Sequence, residues 1–180
     1  MKVIMISGKS ASGKDTFANF LRENLEAENK KVLTIHFADL VKTFATQYYN
    51  WNGEKDEEGR RLLQTIGTHK LRRYFPTYWG EVVSKFIAAV QDDFDYAIIP
   101  DWRFINELET VDMYNKNITT IRINRYENGQ EYLNPNMNEK QSHHISEYQL
   151  DDFNFEWIID NIGDLDDLRF NASVIISYLI

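Results

Sequence analysis

The chain is 180 residues long, and 28 acidic against 20 basic side chains leave it a net charge of −8. That length suits one domain, a hydrophobic content of 43% excludes disorder as its main state, and the acidic balance excludes sequence-independent binding to a nucleic acid polymer, which needs many lysines and arginines. Cysteine is absent, which removes disulfides, thiolate catalysis and cysteine-held zinc or iron–sulfur sites and fits a reducing cytoplasm.

Val3-Ile4-Met5-Ile6 is apolar and β-branched without polar alternation, which predicts a strand buried on both faces. After Gly8 the period changes: Phe17, Phe20, Leu21 and Leu25 recur three and four apart and predict a helix from Lys14 to about Glu28. Val32 to Phe37 reads as a second strand, and Ala38-Asp39 as the cap of a helix through Val41, Phe44, Ala45 and Tyr48. From Trp51 to Asp95 there are two helical stripes, Leu62, Leu63, Ile66 and then Val82, Val83, Phe86, Ile87, Val90, with no strand. Tyr96 to Asp101 is the third strand, with Pro100 expected at its end, where a missing ladder bond matters least. Asn106 to Tyr114 reads as a helix and Ile118 to Ile123 as a strand. The polar stretch 126–140, with Gly129 and Pro135, reads as a mobile loop. Phe155 to Ile159 is a last strand, and Leu165, Leu168, Ala172, Ile175, Ile176 and Leu179 mark a closing helix. No targeting or membrane-spanning segment is read.

Strands alternating with helices predict a parallel sheet covered on both faces, whose ligands bind at the carboxyl ends of the strands. Gly8-Lys9-Ser10-Ala11-Ser12-Gly13-Lys14 stands there, a G-x-x-x-x-G-K string between an apolar strand and an amphipathic helix. Such a loop turns backbone N–H groups inward, and the helix adds its own free N–H groups and the positive end of its dipole. Lys14 then reaches the β- and γ-phosphates of a bound nucleotide such as ATP. Where Ser or Thr usually follows the lysine to hold magnesium, this chain has Asp15 and then Thr16. A carboxylate is a hard oxygen ligand for magnesium, and it can also act through water or as an acid or base. The expected fold is therefore an α/β P-loop NTPase sandwich of three layers. Its core is 1–50 and 95–180, with a helical insertion at about 51–94 and a short lid at about 125–147.

A switch GTPase is rejected, because Asn115-Lys116-Asn117-Ile118 lacks the Asp that reads guanine and Asp160-Asn161-Ile162-Gly163 follows it in the wrong order. The chain is short for a motor or AAA-type ATPase and has no basic face for a helicase. Further strings stand in order: Ser12-Gly13-Lys14-Asp15-Thr16, Phe37-Ala38-Asp39-Leu40-Val41-Lys42, Leu63-Gln64-Thr65-Ile66-Gly67 with Arg72 and Trp79 behind it, Asp101-Trp102-Arg103-Phe104-Ile105-Asn106-Glu107, and His144-Ile145-Ser146-Glu147. Together they resemble the bacteriophage-type deoxynucleoside monophosphate kinases over positions 8 to 147. Trp102 and Ile105 depart from that family's usual small residue and proline. The resemblance implies magnesium-assisted transfer of the γ-phosphoryl of ATP to a deoxynucleoside monophosphate. A kinase for another small phosphorylated acceptor, such as phosphomevalonate, is a second reading, and a non-catalytic ATP sensor a third.

Within that reading Asp101 closes a strand where it can hold magnesium, or it caps the next helix. Arg103 can bridge the acceptor phosphate or the transferring group, or pair with Glu107 or Glu109. Lys42 can hold the monophosphate while Asp39 accepts a proton or a sugar hydroxyl; a capping Asp beside a solvated Lys is the alternative. Arg61, Gln64, Arg72 and Arg73 among Tyr74, Tyr78 and Trp79 are read as the acceptor's base and phosphate site, with half or more of the aromatics expected to be core. Arg122 and Arg125 precede the lid, and Arg125 is the arginine expected to be delivered on closure. His144 is given a hydrogen-bonding role, and Ser146 and Glu147 that of capping a turn. The sequence leaves open which bases are accepted, whether ribose is excluded, and whether the protein is a homodimer.

Overall fold

The computed structural model describes residues 1–180. Its sheet has five parallel strands in the order β2 (Val32–Thr34), β3 (Tyr96–Trp102), β1 (Lys2–Ser7), β4 (Ile118–Glu127), β6 (Trp157–Asn161). A two-residue antiparallel strand, β5 (Gln130–Glu131), extends the end of β4.

Successive side chains of a strand face opposite ways, so the unbroken apolar run of β1 supplies two cores. Ile4 and Ile6, with Ile98, Ile121 and Ile123, pack on α1 (Lys14–Ala27) and α8 (Leu165–Leu179) through Phe17, Leu21, Leu25, Leu168 and Ala172. Val3 and Met5, with Ala97 and Ile99, pack on α4 (Tyr78–Ala89) and α5 (Ile105–Tyr114) through Val83, Ile87 and Val111. The three-layer sandwich is the architecture expected from the strand and helix alternation. A smaller core of Val41, Ala45, Ile66 and Trp79, with Leu62 and Leu63 packed against it, ties α2 (Asp39–Tyr49) to α3 (Glu57–Gln64) and to Thr65–Arg72, which continues α3 as a π-helix. No helix is long and apolar enough to cross a membrane.

Four local departures from the sequence reading have identifiable causes. β2 stops at Thr34 instead of Phe37, because after Ile35, whose N–H still bonds the Ile98 carbonyl, the donors leave the ladder: His36 N–H bonds the Asp39 carboxylate, and Phe37 and Ala38 N–H bond Asp101. Asp39 is thus the first residue of α2 and not its cap. Pro100 lies inside β3, and the missing donor is absorbed by a bulge: Met5 pairs with Ile99 and Ser7 with Trp102, so two residues of β3 oppose one of β1. Residues 126–131 form a hairpin about Asn128-Gly129, both with positive φ (53° and 77°), as a two-residue type I′ turn requires. The last strand begins at Trp157, because Phe155 is taken up by an aromatic cluster with Trp102 and Phe153 at ring separations of 4.9–5.4 Å.

Candidate active site

Residues 8–13 leave β1, curl, and enter α1. Gly8 is required sterically, since a Cβ there would lie 2.6 Å from the Ile123 carbonyl oxygen of the neighbouring strand. Gly13, at φ 97°, caps α1 in a conformation that costs other residues strain, and Asn161 holds the loop from beneath by donating to the Ser12 carbonyl at 3.0 Å. Ala11 also has positive φ, 62°. Lys14 is buried and donates from Nζ to the Lys9 carbonyl at 3.2 Å, so its ammonium folds back across the loop's mouth.

The loop opens into a cleft of about 630 Å³. Of the residues singled out in the sequence, the cleft gathers Ser10, Ala11, Lys14, Asp15, Lys42, Gln64, Arg72, Trp79, Asp101 and Arg103. Gly8, Lys9, Ser12 and Gly13 shape the loop without lining the cleft, and Thr16 and Asp39 are not on its wall either. Three arginines require correction. Arg61 is exposed and pairs with Glu58 within α3; one step of about 100° along a helix separates it from Arg60, which does face the cleft. Arg73 is exposed and lies over the Tyr74 ring. Arg125 sits on the outer side of the loop, donating to the Ala11 carbonyl at 3.2 Å, stacking on Tyr132 and pairing with Glu127, so its guanidinium supports the loop's back. Arg122 is likewise structural, donating to Ser7 Oγ and pairing with Asp151.

The cleft wall is set by carboxylates. Asp101 accepts from Phe37 N–H at 2.9 Å and Ala38 N–H at 3.0 Å, and so caps the entry to α2, not the helix that follows it. The next helix is capped by Glu107, which accepts from the N–H groups of Arg103 (2.9 Å) and Phe104 (3.0 Å) and pairs with Arg72. Arg72 in turn stacks 3.9 Å over the Phe104 ring. Burial pushes the Glu107 carboxyl up to about 7, against the pull of Arg72 and two amides. Ile105, where the resembled family has proline, uses its N–H to bond Gln149 Oε1 at 3.2 Å. Trp102 fills the aromatic core, so both substitutions have partners. Trp79 is core: buried, with its ring N–H on the Gly67 carbonyl at 3.0 Å.

On the β2 side, burial alone would raise the Asp39 carboxyl, but the His36 ring and backbone and the Lys42 ammonium hold it well below the usual carboxylate range. The same hydrogen bond, donated by the His36 ring to the Asp39 carboxylate, raises His36, which lines the cleft.

Of two further residues in the cleft, Arg60 escaped the sequence reading and Glu147 was given a different role there. Arg60 donates to Ser10 Oγ at 3.2 Å, leaves its buried Nε without a partner, and makes no salt bridge with any carboxylate. Arg72 and Arg103, the other arginines on the cleft wall, each have one. Glu147 does not cap a turn; His144 does, through Nδ1. Its carboxylate instead accepts from Ser10 N–H at 2.8 Å and pairs with Arg103 at 3.1 Å. Only the helical phase of α3 distinguishes Arg60 from Arg61, and no local pattern announces a contact spanning residues 10 to 147.

Burial, and then repulsion from Arg103, lower the Lys14 ammonium from 10.5 to about 7. An anion in the loop restores the charge. Nucleotide binding is therefore expected to take up close to one proton near pH 8 and clearly less near pH 6, read by calorimetry in buffers of different ionisation enthalpy.

No cluster of three or more acidic or imidazole ligands could hold a metal by itself. Magnesium, however, ordinarily takes one or two carboxylates, with water and phosphate oxygens completing six positions. Asp15 fits that use: it is exposed on the cleft wall and its carboxylate makes neither a salt bridge nor a hydrogen bond.

The sequence matches the family described as deoxynucleotide monophosphate kinase over residues 36–171. No curated protein sequence matches the chain. Among solved structures, a mutant of the Mycobacterium tuberculosis APS kinase superposes with a TM-score of 0.56 at 11% identity, covering 99% of this chain and 96% of its own. The same kinase in complex with AMPPNP and APS gives 0.55 at 10%, with 99% and 96% covered. A sugar kinase from a Janibacter species gives 0.52 at 14%, with 98% and 95% covered. At such identities the likeness is one of fold, and the fold is that of the P-loop kinases.

Proposed function

Because the chain belongs to the deoxynucleotide monophosphate kinase family, we propose that it transfers the γ-phosphoryl of ATP to a deoxynucleoside monophosphate, giving the diphosphate. One observation carries the reading. A single cleft joins the phosphate loop, at Lys14 and Asp15, to a second set of cationic and amide side chains, Lys42, Arg60, Gln64 and Arg103.

Transfer of a phosphoryl group needs alignment and charge neutralisation more than it needs a covalent nucleophile. Loop amides and Lys14 hold the donor's β- and γ-phosphates. Asp15 would hold magnesium, with Asp101, whose two oxygens each already accept one N–H, placed to hold the ion or its waters; bound there, the ion would neutralise charge on the donor phosphates. Arg60 and Arg103 flank the group in flight, each offering a planar fork to equatorial oxygens. Lys42 takes the acceptor phosphate, and Gln64 an edge of its base. Arg72 holds the wall through Glu107 and does not contact the phosphate. The segment from the 126–131 hairpin to Gln141 covers the loop and excludes water, through Lys9–Glu131 at 2.8 Å, Asn134 on Ser10 Oγ at 2.9 Å, and Asn138 and Gln141 on Glu57.

A coupled assay with magnesium and ATP, run over the common deoxynucleoside monophosphates, their ribose counterparts and phosphomevalonate, tests this. A diphosphate product from at least one deoxynucleotide is expected. Turnover of phosphomevalonate alone, or ATP binding without any product, defeats the proposal. Within the same assay Arg60→Ala is expected to lower kcat about 10²-fold, whereas Arg61→Ala, one residue on and turned to solvent, stays within twofold (about 0.4 kcal/mol).

A further inference from the structure

The donors of the phosphate loop are not idle. Glu147, on α7 (Ile145–Tyr148), places one carboxylate oxygen 2.8 Å from the Ser10 N–H and the other 3.1 Å from the Arg103 guanidinium, with its side chain only 10% exposed. Arg103 also donates to the Ser146 carbonyl at 3.1 Å, which fixes α7 against the end of β3. Inward-turned amides, the positive end of α1, Lys14 and Arg103 together make an anion site. A carboxylate and a phosphoryl oxygen use the same donors there, and one N–H cannot serve both.

We propose that Glu147 is the loop's resident anion, a competitor that the terminal phosphoryl of ATP must displace, and that its displacement frees Arg103 for the group being transferred. The inference rests on the reading of this loop as the ATP site. Until ATP arrives, the salt bridge holds the Arg103 guanidinium against α7. The apparent ATP affinity is lowered in proportion to the fraction of time Glu147 occupies the site. Once displaced, Glu147 no longer ties α7 to Arg103, so α7 loosens as the nucleotide binds.

Two measurements test this. Titration calorimetry with magnesium and ATP compares wild type with Glu147→Gln, which keeps the shape and removes the charge, and with Glu147→Ala. About tenfold tighter binding is expected, the change that follows when a charge-assisted hydrogen bond stops competing. Equal or weaker binding in both variants overturns the proposal while leaving the ATP site standing. Absence of ATP binding in wild type and variants alike overturns the site itself, and the inference with it. The second measurement needs no variant: hydrogen–deuterium exchange of peptides covering 143–150 in wild type is expected to speed up on adding AMPPNP with magnesium. Unchanged or slower exchange there counts against displacement.

Discussion

Alanine at Lys14 is expected to lower turnover on the order of 10³-fold while the protein keeps its fold and melts no lower than wild type. The two halves of that result have one cause. The ammonium is buried beside Arg103 and is held near 7, so the folded protein carries a cation it binds poorly in the absence of an anion. Its sign in linkage follows: the unfolded chain binds more protons than the folded one between about 7 and 10.5, so wild-type stability rises with pH across that window. The variant lacks that rise. At neutral pH it is expected to melt about 2–4 °C higher, which corresponds to roughly 1 kcal/mol in a chain of this size. Circular dichroism melts and a coupled diphosphate assay on the same preparation check both halves. Near-normal turnover in the variant would remove the phosphate loop from the mechanism.

Arg72→Ala is expected to cost about 3 kcal/mol in urea unfolding, the order found when one partner of a buried ion pair is removed. Glu107 keeps its two backbone donors but loses its counter-ion, and the Phe104 ring loses the guanidinium stacked on it. The pH dependence is diagnostic. A carboxyl whose folded pKa is raised from 4.5 to about 7 stabilises the fold fully below 4.5 and loses that contribution as pH rises toward 7. Without Arg72 the folded value rises further, so the variant's deficit is larger near pH 8 than near pH 5. Glu107→Gln flattens both curves. Because Arg72 fastens the π-helical stretch to α5, the acceptor's KM is expected to rise in Arg72→Ala by more than kcat falls.

The centre of the sheet was legible because β1 and β3 are buried on both faces, and unbroken apolar runs such as Val3 to Ile6 have few other solutions. The phosphate loop was legible because its glycines answer local steric demands, at Gly8 against Ile123 and at Gly13 in its left-handed cap. What was not legible depends on long-range partners. β2 is cut short by Asp101, 64 residues beyond Phe37, and Glu147 reaches Ser10 across 137 positions. Arg60 and Arg61 are interchangeable in composition and are separated only by the phase of α3, which tertiary packing fixes. Arg125 read as a lid arginine because it precedes a polar stretch, but the Asn128-Gly129 turn folds that stretch back and carries the guanidinium to the outer side. That dipeptide is a strong hairpin signal and was the one available correction.

The grip of Asp101 on Phe37 and Ala38 has a mechanical meaning. It welds the entry of α2 to the end of β3, so the backbones that carry Lys42 and Arg103 share one frame. In the proposed reaction the attacking oxygen belongs to the acceptor's own phosphate, so a phosphate held at Lys42 is measured against the transfer position beside Arg103 as by a fixed ruler, and molecules whose phosphate cannot span that reach are discarded before any base is read.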